Sequence, residues 1–155
     1  MSSRSEPILL VEDDENDVAL LQRAVKRAGI VTSLQVVRNG EEAIAYLDGN
    51  GQYEDRSQYP FPVLMLLDLN LPGMTGLEVL ARVRERHHVK RMPVVVLSAS
   101  KTDEDVNQAY ELGANSYVVK PMSFDMLSEL VKSLELYWLV LNERPTTSHS
   151  PTALS

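Results

Sequence analysis

Four short groups of residues carry most of the chemistry this sequence can offer. They are the acidic run Glu12, Asp13 and Asp14; Asp68 with Asn70 two residues on; Ser98 before Ala99; and Lys120 before Pro121. Each follows a short apolar run, at residues 8–11, 63–67, 94–97 and 117–119. If those runs are parallel strands, each group stands at a carboxyl end, where open parallel sheets build their sites. Three of these carboxylates, Glu12, Asp13 and Asp68, then meet a hydroxyl and an ammonium at one sheet edge. Clustered carboxylates repel one another unless a cation or a proton intervenes. Because every expected donor is an oxygen, the implied ion is Mg²⁺, with Mn²⁺ as the alternative; two carboxylates, a main-chain carbonyl and waters would complete an octahedron. Lys120 suits an anion instead, and a hard cation beside a fixed ammonium is suited to hold a phosphoryl group between them. Ser98 can donate to a phosphoryl oxygen, and a carboxylate can act as nucleophile to give an acyl phosphate.

The elements that must position these groups follow from periodicity. Val18, Leu21, Val25 and Ala28 recur at spacings of three and four before Gly29, which predicts a helix after the first strand. Residues 34–37 read as a second strand, Asn39-Gly40 as its turn, and 41–47 as a second helix ending at Gly49. Residues 49–62 carry Gly, Asn, Gln, Asp, Ser and Pro without periodicity, which predicts a long surface loop. The fully apolar 63–67 run marks a strand buried on both faces. Pro72-Gly73 makes a turn before a third helix carrying Leu77, Leu80, Ala81 and Val83. Thr102 and Asp103 can cap a fourth helix closed by Gly113, and Ser123 caps a fifth that extends to about Leu141. Five strands alternating with five helices imply an α/β, doubly wound parallel sheet covered on both faces. Residues 1–6 form a polar, flexible N-terminus, 7–141 the single domain, and 142–155 a flexible tail without apolar pattern.

Composition narrows the function classes. At 155 residues the chain suffices for one domain, and 44% hydrophobic with 24% charged residues supports an ordinary core. Fifteen Lys and Arg against 22 Asp and Glu give a formal charge of −7, a poor basis for nucleic-acid binding. The absence of cysteine excludes disulfides, thiolate metal sites and Cys nucleophiles. Residues 1–7 lack a signal-peptide pattern, and no stretch approaches the roughly 18 apolar residues of a membrane span, so the expected location is the cytoplasm with no membrane partner.

The segments Leu-Leu-Val-Glu-Asp-Asp (9–14), Leu-Leu-Asp-Leu-Asn-Leu-Pro-Gly-Met-Thr-Gly (66–76), Val-Leu-Ser-Ala-Ser (96–100) and Gly-Ala-Asn-Ser-Tyr-Val-Val-Lys-Pro (113–121) resemble the receiver domain of two-component response regulators, over about residues 7–141. The resemblance implies a flavodoxin-like receiver fold with an extended C-terminal helix. It implies that Asp68 accepts phosphate from a phosphohistidine on a sensor histidine kinase. Asp13 would bind the metal directly, Glu12 through water, and Asn70 through its backbone carbonyl. Lys120 would pair with the phosphoryl group, with a cis Lys120–Pro121 peptide, which proline makes accessible. Ser98 and Tyr117 match the family's switch: Ser98 turns to the phosphoryl oxygen, Tyr117 rotates inward, and the face of the fourth helix, fifth strand and fifth helix changes shape. Glu12 departs from the family's more frequent Asp. The long 49–62 loop, the apolar end of the fifth helix and the lack of an output module look most like the single-domain regulators that serve bacterial phytochrome kinases.

Other residues have simpler readings. Asp14, Glu15 and Asp17 near a helix start read as dipole-favourable caps. Asp68, by contrast, interrupts an apolar run where a bare carboxylate is costly. Taken without the resemblance, Tyr117 reads as a half-buried packing residue and Ser98 draws its weight from position alone. His87, His88 and His149 have no carboxylate or thiol at ligand spacing and read as solvated. On the fifth helix, Leu127, Leu130, Val131, Leu134, Trp138 and Leu141 form the core stripe, while Leu136, Tyr137, Leu139 and Val140 extend it around the helix. With Trp138, these four form an apolar patch that predicts a partner surface and a homodimer.

Two further function classes compete with the signalling switch. A Mg²⁺-dependent phosphatase with an aspartyl-phosphate intermediate would need a proton-transferring carboxylate two residues after Asp68, where Asn70 stands. A non-phosphorylated interaction module would be expected to lack a ligand or the lysine, and neither is missing. The chain is therefore expected to be a phosphoacceptor, with at most autophosphorylation and autodephosphorylation activity.

Overall fold

The computed structural model describes residues 6–30 and 32–136. Five strands alternate with five helices: β1 (Ile8–Val11), α1 (Glu15–Arg27), β2 (Leu34–Val37), α2 (Gly40–Asp48), β3 (Leu64–Leu67), α3 (Gly76–Glu85), β4 (Val94–Ser98), α4 (Asp103–Glu111), β5 (Ser116–Val119) and α5 (Phe124–Leu134). The strands form one sheet in the order β2-β1-β3-β4-β5, and every pairing is parallel.

The apolar runs have the composition they do because both sheet faces are covered. Leu9, Val11, Met65, Leu67, Val94 and Val96 face a core closed by α2, α3 and α4, while Ile8, Leu10, Leu64, Leu66 and Val95 face a second core under α1 and α5. Successive residues thus alternate between two dry compartments, and neither register position tolerates a polar side chain. Polarity enters where the strands end.

Helix starts are set by side-chain caps. Asp14 accepts from the Asn16 and Asp17 N–H groups, Asn39 from Glu42, Thr102 from Asp105 and Ser123 from Met126, and Thr75 with Glu78 forms a capping box. Gly49 closes α2 at φ 70°, a left-handed conformation that glycine enters without strain.

Three expectations need correction. The 49–62 segment is not a bare surface loop: Gly51–Tyr53 forms a 3-10 turn, Tyr53 is buried, and the rings of Tyr46, Tyr53 and Tyr59 meet at centroid distances of 5.0 to 6.0 Å. The Tyr46 hydroxyl donates to Pro60 O at 2.7 Å, and Arg56 donates to Leu47 O and Tyr59 O. Isolated aromatics carry no periodic signal, yet here they pack the segment onto α2. No peptide bond is cis among the described residues, so Lys120–Pro121 is trans, the isomer that an X–Pro bond intrinsically favours. His88 is not simply solvated either: its Nε2 lies 3.2 Å from Leu47 O and 3.4 Å from the Asp48 carboxylate. The histidine and its acidic neighbour are 40 positions apart, so local spacing could not reveal the pair. His87 is exposed as expected, and His149 lies outside the described residues.

The fifth helix is described as far as Leu136, with Glu135 and Leu136 in a wider π-type turn. Val131 is buried and Leu127, Leu130 and Leu134 half-buried, in keeping with the expected stripe, while Leu136 is exposed. Tyr137, Trp138, Leu139, Val140 and Leu141 fall outside the described residues, as do residues 1–5 and the 142–155 tail.

Candidate functional site

The parallel ladder runs one residue past the strand ends, and that extra rung fixes the backbone of the site. The Glu12 N–H donates to Val37 O at 3.0 Å, the Asp68 N–H to Val11 O at 3.1 Å, and the Lys120 N–H to Ser98 O at 2.8 Å. Each polar residue is therefore held by the apolar strand before it, in register with its neighbour.

Behind Asp68 the chain doubles back closely. Gly76 N donates to Leu69 O at 3.1 Å, and a Cβ added at Gly76 would lie 2.3 Å from Asp68 O and 2.6 Å from Leu69 Cα. Only glycine allows the start of α3 to approach this near, and the contact holds the turn that carries Asp68 and Asn70. Asn70 donates its N–H to Asp68 Oδ1 at 3.1 Å, which orients the carboxylate.

The side chains meet as the strand-end argument requires. Lys120 Nζ lies 2.8 Å from Glu12 Oε1 and 3.3 Å from Asp68 Oδ2. Glu12, Asp13 and Asp68 each offer an oxygen, and those oxygens lie within 4.8 Å of one another. Glu12 and Asp68 are buried while Asp13 is exposed, so the cluster opens to solvent on one side. Three hard oxygen donors that can converge on one point fit a small divalent ion; this donor set suits Mg²⁺ or Mn²⁺ rather than a soft metal.

The electrostatics reflect the crowding. Burial pushes the Glu12 carboxyl up to about 7, against the opposing hydrogen bond from Lys120, and the Asp68 charge adds to the rise. For Lys120, burial disfavours the charge, yet hydrogen bonds to Asp17 and Glu12 and the charge of Asp68 hold its pKa above the ordinary lysine value. The ammonium stays charged, while the buried Glu12 carboxyl holds its proton more tightly than an ordinary glutamate does.

Asp17 is the residue that sequence reading missed. It belongs to α1, where a first-turn carboxylate is expected to serve as a cap, but its Oδ2 accepts from Lys120 Nζ at 2.8 Å. The available signal was direction: helical side chains lean toward the helix N-terminus, here toward the strand-end cleft. Asp14 keeps its role as cap, and Glu15 pairs with Arg38 at 2.8 Å.

Ser98 ends β4 fully buried, and its Oγ accepts from Ser100 N–H at 3.2 Å. Tyr117 is half-buried against the α2–α4 core, and its hydroxyl donates to Ser100 O at 2.8 Å. The two switch candidates thus share a contact with one residue of the β4–α4 loop. Exposed apolar side chains lie on successive elements: Tyr110 on α4, Val119 on β5, Met122 in the loop after it, Met126 on α5 and Leu136 just beyond that helix.

Comparison with known proteins gives a consistent picture. Residues 8–132 match the family described as the response regulator receiver domain. The chain is 42% identical over 142 residues to the response regulator Rcp1 of Synechocystis sp., spanning 90% of this chain and 95% of that one. Among solved structures it is similar to the phosphorylated cyanobacterial phytochrome response regulator RcpA, with a TM-score of 0.83 and 39% identity over 91% of this chain and 99% of the other. It is also similar to the Mn²⁺-bound form of Rcp1, with a TM-score of 0.79 and 40% identity over the same shares.

Proposed function

The chain belongs to the response regulator receiver family, and from that premise we propose that it takes a phosphoryl group onto Asp68 from the phosphohistidine of a sensor histidine kinase, with a bacteriophytochrome as the partner. The single observation that carries the assignment of residues is the convergence of Lys120 on Glu12 and Asp68, beside an oxygen cluster that includes Asp13.

In this reading an Asp68 oxygen attacks phosphorus, a new O–P bond forms, and the P–N bond to the histidine breaks, leaving the imidazole. Asn70 N–H orients the attacking carboxylate. Glu12, Asp13, Asp68 and the Asn70 carbonyl would hold Mg²⁺ or Mn²⁺, which when bound neutralises charge on the phosphoryl oxygens. Lys120 supplies the fixed positive charge on the other side of the group, and Ser98 turns its hydroxyl to a phosphoryl oxygen. That turn and Tyr117 share the β4–α4 loop, so the change reaches the α4–β5–α5 face. Water attack on phosphorus breaks the O–P bond to Asp68, releases inorganic phosphate, restores the carboxylate and so ends the signal.

Output passes through protein contacts in the cytoplasm, and the exposed Leu136 together with the apolar sequence that follows it joins two copies. Incubation of the full chain with a small acyl phosphate and Mg²⁺, read by intact mass, tests the assignment. The native chain should gain one phosphoryl group, and Asp68→Asn should gain none. Equal gain by both, or none by the native chain, refutes it.

A further inference from the structure

Lys120 engages one side chain that the chemistry above does not use. Asp17 accepts from Nζ at 2.8 Å, as near as Glu12 and nearer than Asp68 at 3.3 Å. An ammonium has three protons, so these three carboxylates take all of them, and Asp68 holds the loosest share. The acceptors also differ in what their release costs. The side chains of Glu12 and Asp68 are 4% and 6% exposed, whereas that of Asp17 is 39% exposed. A buried carboxylate stripped of its donor finds no water in exchange, but Asp17 is hydrated as soon as it is let go. Asp17 is not among the carboxylates whose oxygens converge closely enough to share an ion.

We propose that Asp17 is a positioning residue for Lys120: it draws the ammonium to the α1 side of the cleft, keeps Asp68 Oδ2 loosely held for a cation and a phosphoryl group, and is the partner Lys120 gives up when a phosphoryl oxygen arrives. The exchange step rests on Asp68 being the phosphoacceptor. Without the Asp17 charge, the ammonium tightens on Glu12 and Asp68 and competes with a divalent ion for the same oxygens. Loss of Asp17 therefore weakens cation binding through Lys120, although no ligand has been removed.

The test uses the full chain as native protein, Asp17→Asn and Asp17→Glu, each also with Lys120→Met. Mn²⁺ binding is followed by the spin-resonance signal of the free ion, and phosphate uptake from an acyl phosphate at subsaturating Mg²⁺ by intact mass. Asp17→Asn should weaken Mn²⁺ binding about three- to tenfold, Asp17→Glu should stay within about twofold of native, and with Lys120→Met the Asp17→Asn change should cost less than about twofold. Phosphate uptake should slow in step with the lost affinity. An Asp17→Asn affinity within about twofold of native overturns the proposal. So does an equal loss in the Lys120→Met background, which would make the effect one of long-range charge. If Lys120→Met does not fold, the comparison of Asp17→Asn and Asp17→Glu with native still decides. A role confined to the charge at the start of α1 would lower the melting temperature of Asp17→Asn and leave Mn²⁺ binding unmoved, refuting the positioning role. A native chain that takes up no phosphate overturns the phosphoacceptor reading and the exchange step with it, whatever the Mn²⁺ series shows.

Discussion

Burial holds the Glu12 carboxyl at about 7 against an ordinary value of 4.5, so between those values the folded chain keeps a proton that the unfolded chain has released. A group whose pKa rises on folding in this way makes stability fall as pH climbs through the window, because the native state is the one binding more protons. Lys120 does not offset the slope: its raised pKa contributes stability in full at every pH below the ordinary lysine value. In metal-free buffer the melting temperature of the native chain should therefore decline from pH 5 to 7.5 relative to Glu12→Gln, by an amount worth about 1 to 3 kcal/mol. Mg²⁺ competes with the same proton and should stabilise the native chain more at pH 7.5 than at pH 5.5. Parallel slopes for the two proteins in thermal melts would show that Glu12 is not the group responsible.

At the scale of elements, Gly76 offers a test in which two physical effects have opposite signs. By helix propensity, alanine in the first turn of α3 should stabilise, by up to about 1 kcal/mol. By close approach it should destabilise, because the new carbon meets the backbone of Asp68 and Leu69. Backbone cannot rotate aside as a side chain can, so the clash prevails: Gly76→Ala should lose about 2 to 3 kcal/mol in urea unfolding, and phosphate uptake should slow as the Asp68 turn is pushed out of place. A variant as stable as native would mean that α3 shifts freely.

The same contrast explains what could be read from the chain. Strands β1, β3 and β4 were legible because both faces are buried, so their runs are continuously apolar, and the polar residues ending them marked Glu12, Asp68 and Ser98 at once. The 49–62 segment was not legible, because Tyr46, Tyr53 and Tyr59 are spaced without period and meet only after α2 has docked. Asp17 was passed over for a related reason, its one signal being the lean of its side chain toward the helix start. Its partner lies 103 residues away, and a first-turn carboxylate already has a sufficient local explanation. The trans Lys120–Pro121 bond marks the limit of reasoning by likeness, since proline permits either isomer.

For the molecule as a whole, the question is how a charge placed at one sheet edge is read by a partner. The exposed apolar residues Tyr110, Val119, Met122, Met126 and Leu136 lie on or beside α4, β5 and α5, and Tyr110 also ties α4 to β5, its hydroxyl accepting from Tyr117 N–H at 3.1 Å. Leu136, at 55% exposure, leads into the apolar sequence 137–140. Two copies joined there would bury apolar surface while bringing together two chains of formal charge −7. Those terms respond oppositely to salt: screening relieves the repulsion and leaves apolar burial intact, whereas an interface held by ion pairs would loosen. Light scattering should thus find a dimer that tightens between low and moderate ionic strength. Leu136→Glu should weaken it about tenfold or more by placing a charge in the contact, and Leu136→Ala by less. Beryllofluoride with Mg²⁺, which mimics the phosphoryl group, should shift the same equilibrium, because Tyr117, whose hydroxyl donates to Ser100 O of the β4–α4 loop, belongs to the strand that leads into α5. A native chain that stays monomeric with and without beryllofluoride would remove the dimer, and a dimer that dissociates as salt is raised would place its strength in charge pairs rather than at Leu136.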